Sequence, residues 1–317
     1  MIQLCKNLLF SAIAVIRMYM NYKGKKYRDR AILSEMVRNV HSIEKGMCLQ
    51  QPRLLYGMKK IGFLMQITDE YLNAGYDKNR DELKMVCGAL NSYVNFHKER
   101  GCENADLENI RAFAGKLCKA IAAETDCTEY GGYIKIERAA NEKPSTLDAL
   151  LENRHSIRDF SDTPVEETLI RQAVQKANRC PSACNRQTTS VYILDKDKLA
   201  QMKQWLSGIG GFAENVDKFL LITGRTSAFN GGEVYQHIVN AGIFAGTLTL
   251  CLSELGIGSC VVQRPLLSSP TWRKFAKANN IPGDEEIVCM MAIGIPKEKC
   301  MVPVSHRLQE AKIVRKL

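Results

Sequence analysis

Two arginines four residues apart, with a serine between them, stand in Asn153-Arg154-His155-Ser156-Ile157-Arg158-Asp159-Phe160. Arginine presents a planar fork of donors suited to phosphate, and the serine hydroxyl adds a short donor. The same pattern also arises on ordinary basic surfaces. A second segment, Cys180-Pro181-Ser182-Ala183-Cys184-Asn185-Arg186-Gln187, brings small residues, a hydroxyl and an amide together directly before a β-rich run. An amide offers donor and acceptor side by side, as the edge of a planar heterocycle requires. A third runs from Leu255 to Arg264 (LGIGSCVVQR), and its glycines permit a tight reversal and close backbone approach to a ligand. A fourth, Ser305-His306-Arg307-Leu308, is another candidate phosphate clamp.

The elements that must position these segments follow from apolar periodicity. Ala31–Ile43, Gly57–Ala74, Asp81–Arg100 and Leu107–Ala123 repeat apolar residues at helical spacing, so residues 31–143 read as a helical extension. The Gly-containing polar stretch from Thr125 to Pro144 is the best domain boundary. Beyond it, β-rich runs at Val191–Leu194, Phe219–Thr223, Cys260–Val262 and Ile287–Ile293 alternate with helices. The helices expected are Leu147–Asn153, Glu166–Ala177, Lys198–Leu206, Tyr235–Leu255 and Thr271–Ala278. This interleaving predicts an α+β domain over residues 144–317, a central mixed sheet flanked by helices. Tyr235–Leu255 is apolar on nearly every face, which predicts a buried central helix with His237 as a core histidine.

The chain carries 44 basic and 34 acidic residues, a net charge of +10, with a basic stretch in residues 17–30. No zinc finger or RNA-recognition signature accompanies it, so nucleic acid is not an expected partner. Leu9, Ile13, Ile16 and Met20 recur at helical spacing, making residues 1–30 an amphipathic helix with a cationic tail. It is too short to span a bilayer, and its charges follow the apolar run rather than precede it, unlike a signal peptide. It is a candidate peripheral membrane contact, or it packs on the protein body or a second subunit. Twelve cysteines lie between Cys5 and Cys300 without a C-x-x-C pair, so no metal site is expected and the thiols read as free in a reducing cytoplasm.

Taken in order, the four segments resemble the nitroreductase family of FMN-dependent oxidoreductases over about residues 145–315. The opening R-x-S-x-R-x-F, the P-S-x-x-N-x-Q loop and the L-G-I-G-S-C turn carry the resemblance. It implies that Arg154, His155 and Ser156 hold the FMN phosphate, together with Arg307 and His306 or Ser305. Arg158 is implied at the flavin pyrimidine edge. Pro181, Ser182, Ala183 and Asn185 would come from the partner subunit of a homodimer, and the backbone of Val261, Val262, Gln263 and Arg264 would lie along the flavin. The sequence departs from the family where Arg264 replaces a frequent Gly, where Gly208–Phe212 lacks the Asn and Lys of some relatives, and where Thr188-Thr189 replaces Pro-Trp. The string His41-Ser42-Ile43-Glu44-Lys45-Gly46 looks like an element of nitroreductase-like proteins from polysaccharide-biosynthesis loci. It reads either as a helix end with an exposed Glu-Lys pair or as a lid whose His41 or Lys45 reaches the flavin cavity.

The resemblance implies an enzyme that takes hydride from NADH or NADPH onto FMN and reduces a small nitroaromatic, quinone or enone, and the cysteine usage places it in the cytoplasm. No catalytic side chain is singled out. Alternatives are a flavin-dependent dehydrogenase or desaturase of a sugar- or lipid-linked intermediate, and a non-enzymatic scaffold in which Arg264 blocks a vestigial site. Cys180, Cys184 and Cys260 are expected near the flavin, as small packing residues or redox partners.

Overall fold

The computed structural model describes residues 28–137, 146–198, 200–201, 208–229, 233, 235–263 and 270–316, with residues 5, 8, 9, 11–13, 16 and 25 before them. The chain divides into two compact units. One is built mainly from Glu137–Cys300 and the other from Ser11–Ile136 with Met301–Leu317.

The helical unit contains α1 (Arg28–Met47), α2 (Met58–Asn73), α3 (Asp81–Lys98) and α4 (Ala105–Ala120). Their apolar stripes meet in one core, with Met36, Leu64, Leu83, Val86, Tyr93 and Phe96 fully buried. Asn104 caps α4, its side chain accepting from the Asp106 N–H. Strands β1 (Tyr133–Glu137) and β6 (Lys299–Pro303) pair as a two-stranded sheet. The C-terminal residues stay in this unit: His306 stacks on Tyr130 at 4.5 Å, and Lys312 in α9 (Glu310–Ile313) pairs with Asp81 at 2.8 Å. The domain expected over residues 144–317 therefore gives its last stretch to the helical unit, because strand pairing and a buried-acid contact draw it there.

The motif at His41–Gly46 has a structural role within this unit. Helix α1 continues through Gly46 to Met47, and Glu44 is buried rather than exposed. Its carboxylate accepts from the Gly132 N–H at 3.0 Å, while the Tyr56 hydroxyl donates to the Ile43 carbonyl at 2.5 Å. His97 is fully buried: Nε2 accepts from the Leu55 N–H at 2.8 Å, so Nδ1 carries the proton and donates to the Tyr93 carbonyl, also at 2.8 Å. Burial lowers its pKa below the usual histidine value.

A further correction concerns sulfur. Cys87 of α3 and Cys118 of α4 form a disulfide, so the thiols are not all free. A sequence separation of 31 residues has no recognisable signature, and only packing of the two helices brings the sulfurs together.

The second unit is α+β. Its elements are α5 (Leu147–Asn153), α6 (Glu167–Ala177), β2 (Thr189–Asp195), β3 (Lys218–Arg225), α7 (Gln236–Glu254), β4 (Gly258–Gln263), α8 (Pro270–Ala278) and β5 (Glu285–Gly294). The sheet order is β2-β3-β5-β4, with every strand pair antiparallel. Its parallel component is the isolated bridge Ser156↔Ser259. One sheet face packs Leu220, Ile222, Met291 and Ile293 against Phe244, Leu248 and Leu252 of α7 and Ile170 and Ala173 of α6. Contrary to the expected all-round burial, α7 buries only one face: Val239, Gly242, Ile243 and Gly246 are exposed along the other. The half-buried His237 lies near the start of α7, and burial lowers its pKa. Trp272 is buried in α8, while Trp205 and most of the helix expected over Lys198–Leu206 lie outside the described residues.

Of residues 1–27, the described positions Leu8, Leu9, Ile13 and Ile16 are helical and exposed; Met20 lies outside the described residues. No helix among the described residues is long and apolar enough to cross a membrane.

Candidate flavin site

The site begins at the end of α5. Thr146 caps this helix by accepting from the Ala149 N–H at 3.2 Å, and the helix stops at Arg154, whose backbone is extended. The chain then runs beside β4: the Ile157 N–H donates to the Ser259 carbonyl at 3.0 Å. Further on, the Ser161 N–H donates to the Ile295 carbonyl at 2.8 Å. Gly258 makes this approach feasible, because a Cβ there would lie 2.8 Å from Pro296 and 3.1 Å from Ile157. The glycine-rich turn thus serves strand packing at this position, a use that its spacing alone did not separate from ligand contact.

Arg154, His155 and Ser156 are half-buried, and each carries polar atoms suited to an anion. Arg158 differs from them. It is only 5% exposed, it donates through Nη1 to the Ser156 carbonyl at 3.1 Å, and its Nε has no hydrogen-bond partner among the described residues. Phe212 faces the guanidinium at 6.0 Å. An ionised group held out of water with one donor unused is costly, which makes this Nε a candidate contact for a ligand's acceptor atom. Its neighbour Asp159 pairs with Lys297 at 2.9 Å.

The Pro181–Gln187 loop lies over the start of α7. The Ala183 N–H donates to the buried Asn240 Oδ1 at 3.2 Å, and Ser182 Oγ accepts from the Gln187 N–H at 3.1 Å. Arg186 anchors the loop through Glu233 at 2.9 Å and the Ala228 carbonyl at 3.1 Å. Cys184, Asn185 and Gln187 all adopt left-handed backbone conformations, with φ of 50°, 53° and 47°. Each such residue costs about 1–3 kcal/mol unless its surroundings hold it, and these contacts do so. The result presents Pro181 and Asn185 to solvent.

On β4, Val261 is 40% exposed and Val262 is buried; Gln263 ends the strand, and Arg264 lies outside the described residues. Cys184 is exposed, Cys180 is half-buried with its thiol pushed up by burial, and Cys260 is buried in β4. Arg307 is exposed and His306 half-buried in the helical unit. The structure therefore assembles Arg154–Arg158 with β4, and Pro181–Gln187 with α7, inside the α+β unit.

Sequence reading missed the buried carboxylate of Glu285. Thr223 Oγ1 donates to it, as do Ser190 Oγ at 3.1 Å and Tyr192 at 3.0 Å. Burial and this carboxylate push the Tyr192 hydroxyl up to about 12. Ser190 and Tyr192, two residues apart on β2, were the available signal.

The Nitroreductase family model matches residues 151–295. That segment is a nitroreductase-family domain. An FMN-dependent nitroreductase from Clostridium difficile R20291 is 24% identical, covering 51% of this chain and 92% of its own, with a TM-score of 0.42. A structure from Desulfovibrio desulfuricans solved with FMN is 16% identical over 55% and 97% of the two chains, at 0.46. A nitroreductase family protein from Streptococcus pneumoniae TIGR4 is 19% identical over 54% and 100%, at 0.45. No curated protein matches the chain.

Proposed function

We propose that this chain is an FMN-dependent oxidoreductase that takes hydride from NADH or NADPH and delivers it to a small organic acceptor of the nitroaromatic, quinone or enone type. The observation that carries the reading is Arg158, a buried guanidinium with an unused Nε donor beside β4. A flavin pyrimidine edge supplies the acceptor that this donor lacks. Arg154, His155 and Ser156 bind the phosphate. The Val261–Arg264 backbone lies along the ring, and Pro181, Ser182, Ala183 and Asn185 cover it. When bound, FMN supplies the hydride chemistry; the residues bind, orient and exclude water.

The Pro181–Asn185 loop is assigned to the neighbouring subunit of a homodimer. The exposed α7 stripe of Val239, Gly242, Ile243 and Gly246 supports this, since a Cβ at either glycine would meet nothing within 4 Å and leaves room for a second helix. Gly246→Leu should therefore leave the protomer folded yet shift light-scattering mass from dimer to monomer. An unchanged mass would remove α7 from the interface.

The enzymatic reading is tested by titrating the purified chain with FMN and following flavin fluorescence. Loaded protein is then mixed anaerobically with NADH or NADPH, and afterwards with one acceptor of each class. Bleaching by a nicotinamide and recovery by an acceptor are expected. Failure to bind FMN, or bound flavin that neither nicotinamide bleaches, overturns the proposal.

A further inference from the structure

Among the described residues, one group of soft ligands lies apart from the flavin site. The sulfurs of Cys87, Cys118 and Cys127 all fall within 4.8 Å of one another in the helical unit. The Cys87–Cys118 disulfide uses two of them and leaves the third, on a residue only 1% exposed, beside the pair. The structure assigns to these three sulfurs, in their reduced form, a binding site for a thiophilic divalent cation of the zinc class.

Three independent features build the site. The first is sulfur geometry. A tetrahedral zinc–thiolate centre, with bonds of ~2.3 Å, places its sulfurs ~3.8 Å apart, within the observed spread once the disulfide opens. The second is the scaffold that delivers Cys127. Its loop lies against α3 so closely that a Cβ on Gly88 would sit 1.9 Å from the Cys127 carbonyl oxygen. Cys127 itself is held in a left-handed conformation at φ 60°, its N–H donating to Thr125 Oγ1 at 3.1 Å. The third is the surrounding polarity. Asn91 Nδ2 donates to the Asp126 carbonyl at 2.8 Å and stands 3.6 Å from the Cys87 sulfur and 4.0 Å from that of Cys118, so its N–H groups face the sulfurs.

A cavity of about 260 Å³ borders the same cysteine, lined by Lys84, Thr125, Glu129 and Tyr130. It provides an entry path and room for a fourth ligand from solvent. Three thiolates around a divalent cation carry one net negative charge. Lys84, at 3.4 Å from the Tyr130 hydroxyl, is the cavity's cation.

Occupancy is tied to redox state by a balanced exchange. An external dithiol gives two electrons and two protons to the Cys87–Cys118 bond and closes to its own disulfide, leaving three protein thiols. Cation binding then releases their three protons to solvent.

The test uses the full chain, reduced anaerobically with a dithiol, desalted and titrated with Co²⁺ as a spectroscopic probe. We expect thiolate-to-cobalt charge-transfer absorption that saturates at one equivalent and is displaced by Zn²⁺. Reoxidation to the disulfide should abolish it. Cys127→Ser should weaken binding at least tenfold, whereas Cys102→Ser should leave it unchanged. Should the Cys127 variant fail to fold, the wild-type titration decides alone. No charge-transfer band in the reduced wild type overturns the proposal, as does an equal affinity in folded Cys127→Ser. Binding confined to Cu⁺, measured by competition with a colorimetric chelator, overturns it too.

Discussion

Replacing Arg158 with methionine separates a ligand-binding role from a structural one. The substitution keeps an unbranched side chain and removes the charge. In the ligand-free protein it forfeits the charge-assisted bond to the Ser156 carbonyl, about 1.5–3 kcal/mol. It also removes a cation that is 5% exposed, whose effective burial penalty runs to several kcal/mol. The ligand-free melting temperature should therefore hold or rise. FMN binding should move the other way. A charge-assisted contact contributes ~1.5–3 kcal/mol, so the dissociation constant should weaken by about one to two decades. At an FMN concentration ~100 times the wild-type constant, ligand adds about 2.7 kcal/mol of stability. The same concentration should add about 1.4 kcal/mol after a tenfold loss and about 0.4 after a hundredfold loss. Fluorescence titration and calorimetry with and without FMN read both effects. A variant that melts lower without ligand yet gains the full FMN increment would refute the reasoning, because Arg158 would then be a packing residue.

Two further outcomes concern the helical unit. The folded state resists protonating His97, so the unfolded chain takes up that proton first: this contribution should be complete above the ordinary histidine value of 6.5 and decline as pH falls below it. Urea unfolding across that range should show the decline in wild type and a flatter profile in His97→Gln; equal slopes would count against it. Gly88→Ala should cost about 1–3 kcal/mol through overpacking against the Cys127 carbonyl. Gly115→Ala, where a Cβ meets nothing within 4 Å, should instead gain up to about 1 kcal/mol from helix propensity; thermal unfolding that ranks the two equally would defeat the steric argument.

The four long helices were legible because each buries a stripe at helical spacing. The strands beginning at Thr189, Lys218, Gly258 and Glu285 were legible as apolar runs, although their ladders extend past the runs. Strand β1 was not, since YIKIE is short and leaves Ile134 exposed, and it reads as part of a polar loop. Helix α7 shows the opposite limit: an apolar face awaiting a partner has the same composition as one facing its own core. The R-x-S-x-R segment marked the candidate site, yet the burial of Arg158 and its unused donor depend on how β4 and Phe212 pack around it. Sulfur proximity between Cys87, Cys118 and Cys127 came from three separate elements and was invisible in their spacing.

The pairing of β1 with β6 has a consequence for how the chain can be cut. The α+β unit is a guest: its polypeptide leaves the helical unit after Ile136 and re-enters at Met301, and Glu137 and Lys299 beside those crossings are joined by an ion pair of 3.0 Å. A guest whose ends abut can be excised and the gap closed with a short turn, leaving a host that keeps every helix of its core and both strands of its small sheet. A truncation after Ile136 cannot achieve this, because it strips away β6 and the Lys312 contact to Asp81. Minimal versions of the helical unit should therefore be made by internal deletion rather than by shortening the chain from its end.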